Sequence, residues 1–204
     1  MSPFPHLVEA EVRRAATLHP PLANHDEALS VLLEEVFEVQ VEVFKKRSER
    51  ADEKLLEELV QVAAMARRWA DCCGLKVVLG VPFSHGVGIA GRFLRREQPK
   101  ANSDHEELTR LRRQTHKLEA WSAAHGPDLK GVPHDVVLVL LVVAATCQRW
   151  AEDRGLVPLA APPEPPGVAA TTAAPPEPPA PEPDAPTPAP TQPEATDAPA
   201  QETV

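Results

Sequence analysis

Residues 59–75, LVQVAAMARRWADCCGL, return as residues 140–156, LLVVAATCQRWAEDRGL, with Leu, Val-Ala-Ala, Arg-Trp-Ala and Gly-Leu all at a constant offset of 81. Such a repeat constrains the fold more than any local pattern, because it decides how many units the chain builds. The echo extends backward. Pro3-Phe4-x-His6 reappears as Pro82-Phe83-x-His85, and Ala23-Asn24 as Ala101-Asn102, with slips of a few residues between. Alanine-rich helices can resemble one another by chance, but these matches include Trp and Gly and fall in separate blocks. Two tandem units are implied, over residues 1–77 and 78–157.

Both units read as helices. Leu29, Leu32, Leu33, Val36, Phe37 and Phe44 recur near three-and-four spacing, which marks one buried helix face. Asn24 or Asp26 can cap that helix, just after the helix-breaking Pro20-Pro21. Leu55, Leu56, Leu59, Val62, Ala63, Ala66, Trp69 and Ala70 form a second stripe, opened by Asp52 and closed at Gly74. Residues 4–18 make a shorter helix before them. The second unit predicts helices near 84–97, 103–125 and 134–154, and Lys76 to Val81 reads as an extended linker. The expected fold class is all-α, a helical bundle of two similar units.

Composition sets the limit of that bundle. Sixteen of the 24 prolines lie at or beyond Pro158, no aromatic residue follows Trp150, and no Lys or Arg follows Arg154. With so little to bury, residues 158–204 are expected to be a disordered tail rich in Pro, Ala and acidic residues. The tail carries −7 of the formal charge of −9, so the remainder is nearly neutral and a broad nucleic-acid footprint is not expected. Cys72 and Cys73 are adjacent, Cys147 stands alone, and no C-x-x-C pair occurs, which suits a reducing cytoplasm better than a disulfide framework. The start lacks the pattern of a signal peptide, and the longest apolar run, Val136 to Cys147, falls short of a membrane span.

The carboxylates carry the chemistry. Glu35, Glu38 and Glu42 fall at i, i+3 and i+7, with Glu34 one turn from Glu38, beside the apolar stripe. Like charges so spaced repel, and no Lys or Arg between residues 29 and 44 relieves them. On the next helix Glu58 and Gln61 lie one turn apart, and in an antiparallel hairpin they would face the first set. Oxygen ligands on facing helices suit a hard cation such as Mg²⁺, usually completed by substrate phosphates. A solvated acidic face is the plain alternative.

The stretch from Pro21 to Asp71 resembles the MazG-like all-α nucleoside triphosphate pyrophosphohydrolases, whose signature pairs E-E-x-x-E on one helix with E-x-x-D on another. Glu34-Glu35-x-x-Glu38 matches the first element, and Glu58-x-x-Gln61 matches the second only in its glutamate. The resemblance implies Mg²⁺ held by Glu35, Glu38 and Glu58, with Gln61 at the fourth position and Glu34 supporting the site or activating water. It also implies hydrolysis of a nucleoside triphosphate between its α- and β-phosphates, giving a monophosphate and pyrophosphate. Where the family has a fourth carboxylate, Gln61 offers a carbonyl oxygen without charge, which weakens metal binding and leaves a catalytically weak or inactive nucleotide- or protein-binding module as the alternative. Glu42 and Glu57 are candidate compensating charges. Lys45, Lys46, Arg47 and His25 are candidate substrate contacts, against the reading of the cations as a solvated helix C-terminus and of His25 as a surface residue.

In the second unit the matching positions hold Arg113, Gln114 and Lys117 for the first element, and Val139 and Val142 for the second. That unit is expected to supply bundle surface as a degenerate partner, with Arg112, Arg113 or Lys117 either reaching toward the acidic site or staying in solvent. Association of two chains, and recruitment of a protein by the Pro-rich tail, stay open. Gly86-x-Gly88-x-x-Gly91 fits a dinucleotide fingerprint but lacks the βαβ context that gives it meaning. Trp69 and Trp150 are expected to be core anchors, and the vicinal cysteines to be incidental.

Overall fold

The computed structural model describes residues 2–72, 81–126 and 134–157. Every element among them is an α-helix: α1 Phe4–Leu18, α2 His25–Phe44, α3 Asp52–Cys72, α4 Phe83–Glu97, α5 Asp104–His125 and α6 His134–Asp153. The expected bounds hold to within a residue or two. The closure at Gly74, the linker from Lys76 to residue 80, Cys73 and the tail at 158–204 lie outside the described residues.

α2 and α5 start where a side chain substitutes for the missing backbone partners. The Asn24 side chain accepts from the Glu27 N–H at 2.8 Å, and the Glu27 carboxylate accepts from the Ala23 N–H in return. Ser103 accepts from the Glu106 N–H at 3.3 Å, and Glu106 accepts from the Asn102 N–H at 2.9 Å. Both are reciprocal capping arrangements. They lie 79 residues apart. At the far end of α6, Gly155 takes a φ of 70°, and the Leu156 N–H donates to the Ala151 carbonyl at 2.9 Å. This left-handed helix stop favours glycine.

The centre of the bundle is the α3·α6 pair, with α2 packed on α3, α5 on α6, and α2 against α5. α1 also lies on α3 and α4 on α6. Small residues, Ala63, Ala66 and Ala70 on α3 and Ala144, Ala145 and Ala151 on α6, are buried and permit close approach of the two axes. Trp69 and Trp150 are fully buried, as expected of core anchors. The Trp69 indole N–H donates to His25 Nδ1 at 2.8 Å, and that of Trp150 donates to Asp104 Oδ1 at 2.9 Å. Each acceptor is the first residue of the helix packed alongside.

Two expectations change, and one discounted signal finds a packing role. Phe37 and Phe44, assigned to the buried face of α2, are 60% and 64% exposed. The buried seam is Ala28, Leu32, Val36, Val39 and Val43. Phe37 and Phe44 each follow a seam residue by one step, about 100° around the helix. His25 is fully buried between Trp69 and Trp121 rather than lying at the surface. The glycines at 86, 88 and 91 sit inside α4, and a Cβ on Gly86 would lie 2.9 Å from a methyl of Leu141, so Gly86 serves close packing of α4 on α6. Among the described residues α6 alone is long and apolar enough to cross a membrane, and two thirds of it is buried against its neighbours, as in a core helix.

Trp150→Phe removes both packing volume and the donor to Asp104. A loss of about 2–3 kcal/mol is expected, measured as a lower denaturation midpoint with unchanged slope. An unaltered midpoint would exclude the indole as an anchor of α5.

Candidate metal centre

Glu35 and Glu38 project from α2 and Glu58 from α3, and one carboxylate oxygen from each lies within 4.8 Å of the others. This is the convergence expected of an antiparallel hairpin whose acidic residues border its apolar seam. Among the described residues no other group of three or more His, Cys, Asp or Glu side chains comes together in this way. Glu38 and Glu34 are exposed, Glu35 is half-buried, and Glu58 is 2% exposed.

Burial and crowding act on the acids together. Glu35 is pushed up to about 7, first by burial and then by the charges of Glu38, Glu58, Glu34 and Glu11. Burial also raises Glu58, with Glu38 adding to the rise and Lys54 opposing it. Lys54 Nζ lies 2.7 Å from Glu58 Oε1 and 3.0 Å from Glu57 Oε2, and these acids hold the ammonium above its ordinary range. Lys54 is therefore the internal counterion of the cluster. Its spacing of i, i+4 from Glu58 made it legible in the sequence. Arg14 was not. It comes from α1, pairs with Glu11, and carries its positive charge toward Glu57 and Glu35.

Two buried oxygens on one turn of α3 find no protein donor: Glu58 Oε2 and Gln61 Oε1. A buried acceptor without a partner costs about 1–3 kcal/mol, so a cation at this end of the hairpin would meet oxygens already withdrawn from water. Gln61 also lines a groove of about 330 Å³ between α1 and α3, floored by Leu7, Ala10, Leu56 and Val60 and rimmed by Arg14 and Glu57.

The remaining candidates are dispersed. Glu42 is buried, bonded to Lys45 and accepting from the Ala51 N–H at 3.0 Å. Burial alone would raise it, but Lys45 and Ala51 outweigh burial and hold it low. Glu42 thus ties the α2–α3 turn instead of joining the cluster, and it occupies Lys45. Lys46 and Arg47 are exposed in that turn. His25 is enclosed by core indoles and does not face the acids as a nucleotide contact would. On α5 Arg112 donates to Gln40 at 3.1 Å, Lys117 stays on Gln114 at 2.9 Å, and Arg113 is exposed. Val139 and Val142 pack against the core.

Comparison of the chain with protein-family models, with curated proteins and with solved structures finds no match.

The pH dependence of Glu35 has a definite sign. Its folded pKa of about 7 exceeds its ordinary value, so the folded state retains a proton that the unfolded chain has lost. Stability from this group is full below about pH 4.5 and is lost as pH rises through 7. Glu35→Gln should therefore be more stable than the parent at pH 8, by an amount on the order of 1 kcal/mol after solvent screening, and equal to it at pH 4. Urea melts in metal-free buffer at the two pH values measure this. Equal stabilities at pH 8 would mean that Glu35 ionises freely.

Proposed function

We propose that this protein is a Mg²⁺-dependent nucleoside triphosphate pyrophosphohydrolase that cleaves between the α- and β-phosphates. One observation carries the reading: Glu35, Glu38 and Glu58, separated in sequence, meet within 4.8 Å across the α2–α3 pair. The donor set is all oxygen, which suits a hard divalent cation. Glu35, Glu38 and Glu58 would hold it, with the Gln61 carbonyl at the fourth position. Bound there, Mg²⁺ would supply charge neutralisation of phosphate and a more acidic water. Glu34, exposed next to this set, is the carboxylate left to accept a proton from that water. Arg14, at the rim of the α1–α3 groove, would meet phosphate oxygens by turning from its exposed pair with Glu11, and the apolar floor of the groove would suit a nucleoside. Lys45, already engaged by Glu42, has no part in this arrangement.

The tandem reading belongs to the same proposal. The two reciprocal caps and the two indole donations recur at offsets of 79 and 81, which supports a second unit of common plan that has exchanged its carboxylates for Arg113, Gln114, Lys117, Val139 and Val142. Its role would be to cover the apolar faces of the first unit.

A second reading is favoured by Gln61, which removes one charge from the ligand set. In it the module binds Mg²⁺ and nucleotide weakly and turns over little or nothing. Pyrophosphate release from a panel of nucleoside triphosphates with Mg²⁺ separates the two. The hydrolase reading expects release that falls to background in Glu38→Ala and rises in Gln61→Asp, while no release above the Glu38→Ala control ends it. Metal binding is checked independently. Mg²⁺ at 100 times its dissociation constant should add about 2.7 kcal/mol of stability, and Glu38→Ala should abolish that gain.

A further inference from the structure

The outer face of α2 remains unexplained by either the bundle or the acidic site. Phe37, Val41 and Phe44 fall at i, i+4 and i+7, expose 60%, 46% and 64% of their surface, and make one continuous apolar stripe opposite the buried seam. His105 of α5 stands edge-on to Phe44 at 4.9 Å and leaves most of it open. Three large apolar side chains in register on one helix are more than the scattered exposure usual on a protein surface. In the second unit the offset of 79 places His116, Ala120 and Ala123 at these positions, so the stripe is not repeated on α5.

Charge is distributed unequally along that face. Glu34 is exposed at one end, and Lys46 and Arg47 are exposed just beyond the other. α2 ends at Phe44, and Lys46 and Arg47 follow Lys45 in the turn that leads to α3, at the other end of the stripe from Glu34. A second copy reverses the order. If two α2 helices pack antiparallel about a twofold axis passing between Gln40 and Val41, Phe37 meets the partner's Phe44, and Glu34 comes beside the turn that carries the partner's Lys46 and Arg47. A crossing near 20° keeps both helix ends within reach of long side chains.

We propose that two copies of this chain associate through the outer faces of their α2 helices, as an antiparallel twofold pair, and that each copy brings Lys46 and Arg47 to the acidic end of its partner's α2. The occupant is a second copy because the face is complementary to itself only when inverted: apolar in the middle, acidic at one end, basic at the other. Because the contact is isologous, with the same face used by both copies, it closes on itself as a dimer and does not propagate. The association does not depend on the proposed hydrolysis. Where that reaction operates, the partner's cations would stand beside the carboxylates on the side from which an anionic substrate approaches.

Sedimentation equilibrium of the full chain, without metal or nucleotide, tests this. The expected species is twice the 22.1 kDa chain mass. Phe37→Asp should weaken association at least about 30-fold while leaving the helical content unchanged, since the side chain is exposed within one copy. Glu34→Lys and Arg47→Glu should each weaken association several-fold, and the double variant should restore it. A monomer at every concentration overturns the proposal. So does a dimer indifferent to Phe37→Asp, which would place the contact elsewhere, or a double variant no better than the singles, which would remove the antiparallel register. None of these outcomes bears on pyrophosphate release, so failure here leaves the proposed reaction untouched.

Discussion

Trp69 and Trp150 are the fully buried anchors of this bundle, and the indole N–H of each finds its acceptor on the first residue of the adjacent helix. Trp69 reaches His25 and Trp150 reaches Asp104, so each central helix fixes the start of the helix lying on it. The rest of the arrangement depends on that link. An indole is too large to be accommodated in more than one register, and its polar atom would be costly without a partner. Once the start of α2 is fixed relative to α3, helical geometry decides that Glu35 and Glu38 arrive opposite Glu58.

The acidic cluster is therefore held together by its surroundings and not by its own interactions. Three carboxylates in mutual reach repel, and burial of Glu58 raises the cost of ionising it. Lys54 offsets part of that cost from one side, and Arg14 contributes positive charge from α1. What remains is a site with excess negative charge, a half-buried acid near neutrality and two oxygens without donors. These are features that a bound cation would relieve, which is the physical basis of the proposed metal site.

α2 has three separate duties around its circumference. One side fills the core through Leu32, Val36, Val39 and Val43, a second presents Glu35 and Glu38, and a third exposes Phe37, Val41 and Phe44. This division explains why apolar residues on α2 do not form a single stripe. Glu42 serves none of these sides, because at the end of the helix its carboxylate is drawn to the backbone of Ala51 and to Lys45.

Much of this was legible in the residues alone. The number and limits of the helices followed from periodicity, from the Asn24 cap and from prolines, because those signals act within a few residues of one another. The pairing of Glu35 and Glu38 with Glu58 was also legible, since antiparallel helices joined by a short turn leave few alternatives. Lys54 was within reach of the same logic and was passed over. The burial of His25, the exposure of Phe37 and Phe44 and the approach of Arg14 were not legible, because each depends on which other helix lies alongside. Sequence by itself determined the helices and the set of acids, through forces that operate over one or two turns. Tertiary structure decided which apolar face became the core, which was left outside and which cations met the acids, because those outcomes depend on packing between segments far apart in the chain.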